Sequence, residues 1–417
     1  MIPVAPSSVM AGLMWLSLIA FAVLGGADFG AGVWDLLASG RSREPQRAAL
    51  IRAIGPIWEA NEIWLIFLIT GTWTTFPLVF STVMTALFIP LTLGLLGIVM
   101  RGAAFAYYTH FRAAVTVNEV WGKTFSIASL VTPFLFGTVA AAVVSGHIRV
   151  LPGGNVVANP WQTWTTPFAL ACGGFAVALS ACLAATYMTV EAANQHELKL
   201  VAVFRRRALI SGAVAATLGA VSFWLSAGYA PVLFHGLFTR AWPVALAAVL
   251  LGVLTAAALV AGFFRTARVL IGGEVTAILG AWALAQFPLL IVPDVSVTRA
   301  AAPPVVQTAA IIAAVISMVL VIPATWYLLY LFKSEHGSTR HRTADQLIEQ
   351  LTPVDVPTVS NSQHTGSRNG SKWVRSIAEG ALLLGATILL PAVVARVRGV
   401  LSRWRRYRHL PRPTSAT

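Results

Sequence analysis

GPIWEANEIWLIF, residues 55–67, is apolar enough to enter a bilayer, yet it carries Glu59, Asn61 and Glu62 within one helical turn. Charge inside hydrocarbon costs roughly 2.5–3.5 kcal/mol per residue on insertion scales. Whether this stretch is a membrane segment decides the fold, and the rest of the chain answers. Of 417 residues, 57% are hydrophobic and 11% charged, with mean hydropathy +0.76. Soluble domains carry about 25% charged residues, so the chain is an all-α polytopic membrane protein. The formal net charge of +14 does not indicate nucleic acid, because the basic residues are dispersed between apolar runs, where topology and lipid headgroups account for them.

Apolar runs long enough to cross, about 17–25 residues each, fall near 9–33, 54–75, 78–100, 125–147, 165–188, 208–227, 241–264, 275–293 and 307–332. They predict nine transmembrane helices. The odd-numbered loops contain Arg41, Arg43, Arg47, Arg52, Arg101, Arg112, Lys123, Lys199, Arg205, Arg206, Arg207, Arg265 and Arg268, and the even-numbered loops only Arg149, Arg240 and Arg299. By the positive-inside rule the odd loops face the cytoplasm and the N-terminus lies outside. The first run has no basic flank or small-residue cleavage site before it, which reads as a retained helix.

Residues 1–333 thus form a membrane domain. Residues 334–372, rich in Ser, Thr, His and charge, read as a cytoplasmic linker. The C-terminal segment 373–417 is basic and contains an apolar run, 377–395, interrupted by Glu379 and Pro391. A helix lying in the interface is favoured there over a tenth span, which would export the basic end.

Few acids fall inside the apolar runs. Asp28 is near the inner end of helix 1, and Glu59 and Glu62 are in the first turns of helix 2. A short loop makes these helices antiparallel neighbours, so Asp28 and Glu59 reach similar depths on the cytoplasmic side. Gly26 and Gly30 form a small-xxx-small face that admits another helix. Asp35 marks the cytoplasmic exit of helix 1, and Glu191 and Glu274 read as solvated segment ends. A structural reading pairs the buried acids with Arg52 or Arg101 or leaves them at a wet helix end. The functional reading gives them proton or ion handling, the default for intramembrane acids. Gln286, Pro288 and Asp294 make a polar group at the outer end of helix 8, where support of a kinked helix end is favoured over a quinone or oxygen path.

Cys172 and Cys182 are ten residues apart in one run, about 15 Å on a helix and beyond disulfide reach. No Cys/His cluster suggests a metal, and all eight histidines fall in loops, at helix ends or in the tail. The chain is therefore expected to hold no haem.

Two motifs point to a family. GGADFGAGVWDLL (25–37) followed by AIGPIWEANEIWLI (53–66) resembles subunit II of cytochrome bd-type quinol oxidases. WALAQFPLLIVPDVSVTRAAAPP (282–304) is similar to that family's eighth helix and following external loop. The resemblance covers about residues 8–333. It implies two four-helix bundles plus one peripheral helix. It also implies a heterodimer with a haem-bearing subunit I, which would hold haems b and d, or b-type haems only, and oxidise quinol. Small accessory subunits, membrane lipid and quinone are further partners it allows, in the inner membrane of a bacterium.

In this family an acid after the Trp of GPxW is assigned to a proton route from the cytoplasm toward the oxygen-reducing haem. By motif that acid is Glu59, beside Trp58, with Asp28 as the helix 1 acid. The family often has Asp at the Glu59 position, a mild departure. Asp28, Glu59 and Glu62 would then form the route and Asn61 would support it by hydrogen bonding. Trp58 and Trp64 would pack against subunit I or at headgroup level. A secondary transporter or channel using the same carboxylates is the rival reading, and paired broken helices at mid-membrane would favour it.

Overall fold

The computed structural model describes residues 5–38, 46, 47, 50, 58–110 and 115–335, all inside a compact unit of residues 1–340. The chain runs through α1 (Pro6–Leu36), α2 (Trp58–Thr75), α3 (Pro77–Ala86), α4 (Phe88–His110), α5 (Val115–Val144), β1 (Arg149–Val150) and β2 (Val156–Val157). It continues with α6 (Pro167–Asn194), α7 (Leu198–Tyr229), α8 (Pro231–Thr239), α9 (Trp242–Ala261), α10 (Phe264–Gln286), β3 (Leu289–Ile291), β4 (Val295–Ser296), α11 (Val297–Ala300) and α12 (Pro304–Glu335).

Among the described residues, eight helices are by themselves long and apolar enough to cross a membrane. The pair α2 and α3, bent by 115° between Thr75 and Pro77, brings the number to nine where it is taken as a single broken span. The fold is thus an all-α polytopic membrane protein. The apolar run 78–100 is not one helix, however. Its first part is the short, turned α3, and its second part is the outer half of α4. Pro77 opens α3 and Pro231 opens α8, each at a first turn, where the missing N–H costs nothing.

The helices also outrun the hydropathy windows. Arg101 lies inside α4, Lys123 inside α5, Arg205 to Arg207 inside α7, and Arg265 and Arg268 inside α10. Hydropathy marks only the part of a helix that meets hydrocarbon. Arg and Lys are good helix formers, so the helix carries on into the polar zone.

The packing repeats itself. In the first half α1 packs on α2 and α5, and α4 on α5; in the second half α6 packs on α7 and α10, and α9 on α10. Each half has its short Pro-led helix after the second long one, and each closes with a two-stranded antiparallel hairpin, Arg149↔Val157 in one and Leu289↔Ser296 in the other. The halves meet where α1 and α5 lie on α6, and α1 on α10. Helix α12 lies on α1 and α2. The Thr75 carbonyl ending α2 accepts both Ala302 N–H (2.9 Å) and Gln307 Nε2 (2.6 Å).

Small residues set this geometry. A Cβ on Gly30 would sit 1.9 Å from the Ser180 carbonyl oxygen and one on Gly26 3.2 Å from Leu183 Cδ1. The face made by Gly26 and Gly30 is thus filled by α6 of this same chain. Close backbone approach replaces the hydrophobic drive that lipid cannot supply between helices. The Trp34 indole locks the same contact by donating to the Ala181 carbonyl at 2.7 Å.

Candidate functional site

Asp28 and Asn61 meet between α1 and α2. Both are buried, 7% and 3% exposed. Asn61 Nδ2 donates to Asp28 Oδ2 and lies 3.4 Å from the Leu24 carbonyl. Antiparallel α1 and α2 bring them together, with a second tie one turn on, where Ser17 Oγ donates to the Trp64 carbonyl at 2.5 Å. Trp64 therefore contributes its backbone to the α1–α2 contact, while its ring is half-buried.

Arg101 of α4 completes the site. It is 4% exposed, and its guanidinium lies over the Phe29 ring (4.7 Å) and the Phe125 ring (5.6 Å). Its charge acts on both Asp28 and Glu62. No direct ion pair joins it to Asp28, and its Nε has no hydrogen-bond partner among the described residues. The guanidinium is therefore held by aromatic faces and attracts the carboxylates across a gap. Glu62 is half-buried. Trp58 and Glu59 open α2, and their side chains lie outside what the structure describes; so does Arg52.

Deeper toward the inner end of α1, Asp35 forms a closed arrangement. Arg47 donates to it twice, Nε to Oδ1 at 2.7 Å and Nη2 to Oδ2 at 3.0 Å, and Ser126 Oγ donates to Oδ2 at 2.7 Å. Arg207 reaches the neighbouring Gln46 Oε1 at 2.9 Å and stacks over Trp34. Asp35, read from sequence as a helix exit, is 7% exposed. A bidentate Arg partner and a buried hydroxyl were not legible in the spacing of the chain.

The outer residues do not form one group. Gln286 accepts from Trp282 Nε1 (2.6 Å) and donates to the Leu290 carbonyl (2.9 Å). Asp294 accepts from Arg149 Nε (2.8 Å) and the Val150 N–H (2.9 Å). The hydrogen bond from Arg149 holds the Asp294 carboxyl below the usual carboxylate range. Each is saturated by a different partner, one capping α10 and the other tying the two hairpins together.

Chemically, the site offers a buried carboxylate with one oxygen accepting from an amide, a second carboxylate, Glu62, directly after that amide on the neighbouring helix, and a fixed cation. That set can bind and release a proton. Among the described residues, His110 ends α4, His147 follows α5, His196 lies in the α6–α7 turn and His235 is on the short α8. Among the described residues no group of three His, Cys, Asp or Glu side chains could hold a metal.

Fold and site together define a multi-span membrane protein with a buried carboxylate packed between its first two helices. The sequence profile described as "Cytochrome bd terminal oxidase subunit II" matches residues 6–332, and the chain belongs to that family. It is 32% identical over 141 residues to the cytochrome bd ubiquinol oxidase subunit 2 of Bacillus subtilis (strain 168), covering 32% of this chain and 40% of that protein. It is 25% identical over 206 residues to the cytochrome bd-I ubiquinol oxidase subunit 2 of Escherichia coli (strain K12), covering 48% and 52%. The chain thus matches about half the length, or less, of these two relatives. A chain in the structure of the bd oxidase from Geobacillus thermodenitrificans superposes with a TM-score of 0.60 at 19% identity, over 78% of this chain and 98% of that one. That likeness is one of fold.

Proposed function

We propose that this chain is the haem-free subunit of a bd-type quinol oxidase and carries part of the proton uptake path of the complex. The observation that carries the reading is the buried Asp28–Asn61 hydrogen bond with Arg101 beside it. Family membership supplies the reaction: a haem-bearing partner subunit oxidises quinol and reduces dioxygen to water in a bacterial inner membrane. The haems supply the redox chemistry in that partner.

What this chain does is move protons. Asn61 occupies Asp28 Oδ2, so Oδ1 is the atom free to take up a proton and pass it on. Asn61 also fixes the plane of the carboxyl, so exchange occurs at one place. Arg101 attracts the anion left after each transfer. Glu59 and Glu62, on the same turn of α2, extend the route toward the cytoplasmic side that the positive-inside rule assigns to the inner helix ends. Each proton taken from that side adds to charge separation without a pump.

The test is Glu59→Gln and Asp28→Asn in the assembled complex. Loss of oxidase turnover with an unchanged haem spectrum supports the relay, whereas full turnover in both variants removes it. A transporter reading gains nothing here. Among the described residues, the one sharp bend between apolar helices, that of α2 and α3, lies at the far end of α2 from Asn61.

A further inference from the structure

Glu274 looks from sequence like a solvated segment end. It lies instead ten residues into the 23-residue α10, about 15 Å from the start of the helix and therefore near mid-membrane. A half-buried carboxyl at that depth requires a partner. The described residues supply none. Arg268, six residues earlier on α10, is stacked on the Tyr187 ring at 4.6 Å. Among the described residues no cation acts on Glu274; the Cys182 thiol of α6, to which it is electrostatically coupled, carries no positive charge and donates to the Ala208 carbonyl at 3.5 Å. The hydroxyls on adjacent turns, Thr276 and Thr255, donate to their own helices at Gly272 O and Leu251 O, both at 2.8 Å. An ionised carboxyl would lack a cation here, and a neutral one would lack an acceptor for its O–H. In both protonation states the missing group must come from elsewhere.

The surroundings suit a helix better than a small molecule. The carboxyl rests over Gly252 of α9, where a Cβ would come within 2.9 Å of Oε1 and 3.5 Å of Oε2. The missing side chain opens a shallow notch rather than a cavity that would hold a quinone ring. Val249 and Val253, beside Gly252, are 64% and 61% exposed, an aliphatic rim on which another membrane helix can lie. Lipid headgroups do not reach this depth.

We infer that the α9–α10 face is a docking surface for a membrane helix of another protein chain, which presents a lysine or arginine side chain to Glu274. The occupant follows from charge complementarity: an acid at mid-membrane with no cation of its own. Small residues at the contact and one polar bond across it are the usual terms of helix association in lipid. The surface is separate from the Asp28 site and does not depend on the proton-path reading.

The experiment places a photo-reactive side chain at Val249 or Val253 of the full chain in native membranes and sequences the adducts. The expected product is an apolar membrane segment of another chain containing Lys or Arg. Its yield should fall about tenfold in Glu274→Gln and return when the charges are exchanged, with Glu274→Lys opposite an acidic replacement of the partner's cation. Glu274→Asp, which keeps the charge, should retain most of the product and serves as the control for folding. Adducts whose yield ignores Glu274→Gln overturn the inference. So do adducts formed only with lipid or quinone, or only with residues 341–417 of this chain.

Discussion

Asp28 and Asp35 stand two turns apart on one helix and are equally buried, yet Asp35 is closed by Arg47 and Ser126 while Asp28 receives only the Asn61 amide. An acid whose oxygens are both taken up by a bidentate arginine is a structural tie. One that keeps an oxygen free can work. The difference separates two carboxylates that look equivalent in the sequence, and it can be measured.

Asn61→Leu removes the donor and leaves Asp28 in place. A hydrogen bond to a charged group contributes about 1.5–3 kcal/mol, so oxidase turnover should drop about 10- to 100-fold. Haem content of the complex should stay as in the wild type. Oxygen consumption by purified complex decides; turnover within a factor of about two of wild type counts against Asn61 as an orienting group.

Asp35→Asn should act on folding instead. It leaves Arg47 buried beside a neutral amide, a loss of about 3–5 kcal/mol for a broken buried pair. The double replacement Asp35→Leu with Arg47→Met should recover most of that loss. Thermal unfolding of the two variants separates this from a role in turnover, because the double variant should remain active per haem.

Gly30→Ala should abolish accumulation of the subunit, since its Cβ would lie 1.9 Å from a backbone oxygen of α6 that cannot move aside. Gly26→Ala meets only the end of the Leu183 side chain at 3.2 Å and should cost at most about 1–3 kcal/mol. Equal membrane levels of the two variants would contradict this packing.

Beyond the end of α10, Asp294 holds Arg149 and Val150. Its carboxyl titrates below the usual range in the folded chain, so the tie is complete at neutral pH and fades only as pH falls through that lowered value. Hydrogen exchange at residues 149–157 should therefore accelerate in acid for the wild type. In Asp294→Asn it should be fast at neutral pH already and change little with acidification.

Hydropathy made the membrane class legible, because each crossing needs one long apolar run. It could not place the break at Leu87, where α3 ends and α4 begins inside a run, 78–100, that stays apolar throughout. Nor could it show that Arg101 belongs to the site, because that residue reads as the first basic residue after a span. Only the packing of α4 on α5, with the guanidinium over Phe29 of α1 and Phe125 of α5, brings its charge to Asp28. A short connection and matched distances from it placed Asp28 level with Glu59, whose side chain lies outside the described residues; the contact of Asp28 with Asn61 comes from the structure. Glu274 was misplaced for the converse reason: α10 starts eleven residues before the apolar window does, turning an apparent end into a middle.

The repeated plan of the two halves has one more consequence. Long helices, a Pro-led short helix and a closing hairpin occur twice, but only the first copy carries the Asp28–Asn61 bond and the buried Arg101. A chain doubled in this way begins with no preferred side for chemistry. On the proposed proton path the two halves share a plan of helices and differ in side chains, and Asp28, Asn61 and Arg101 of the first copy give that plan its direction.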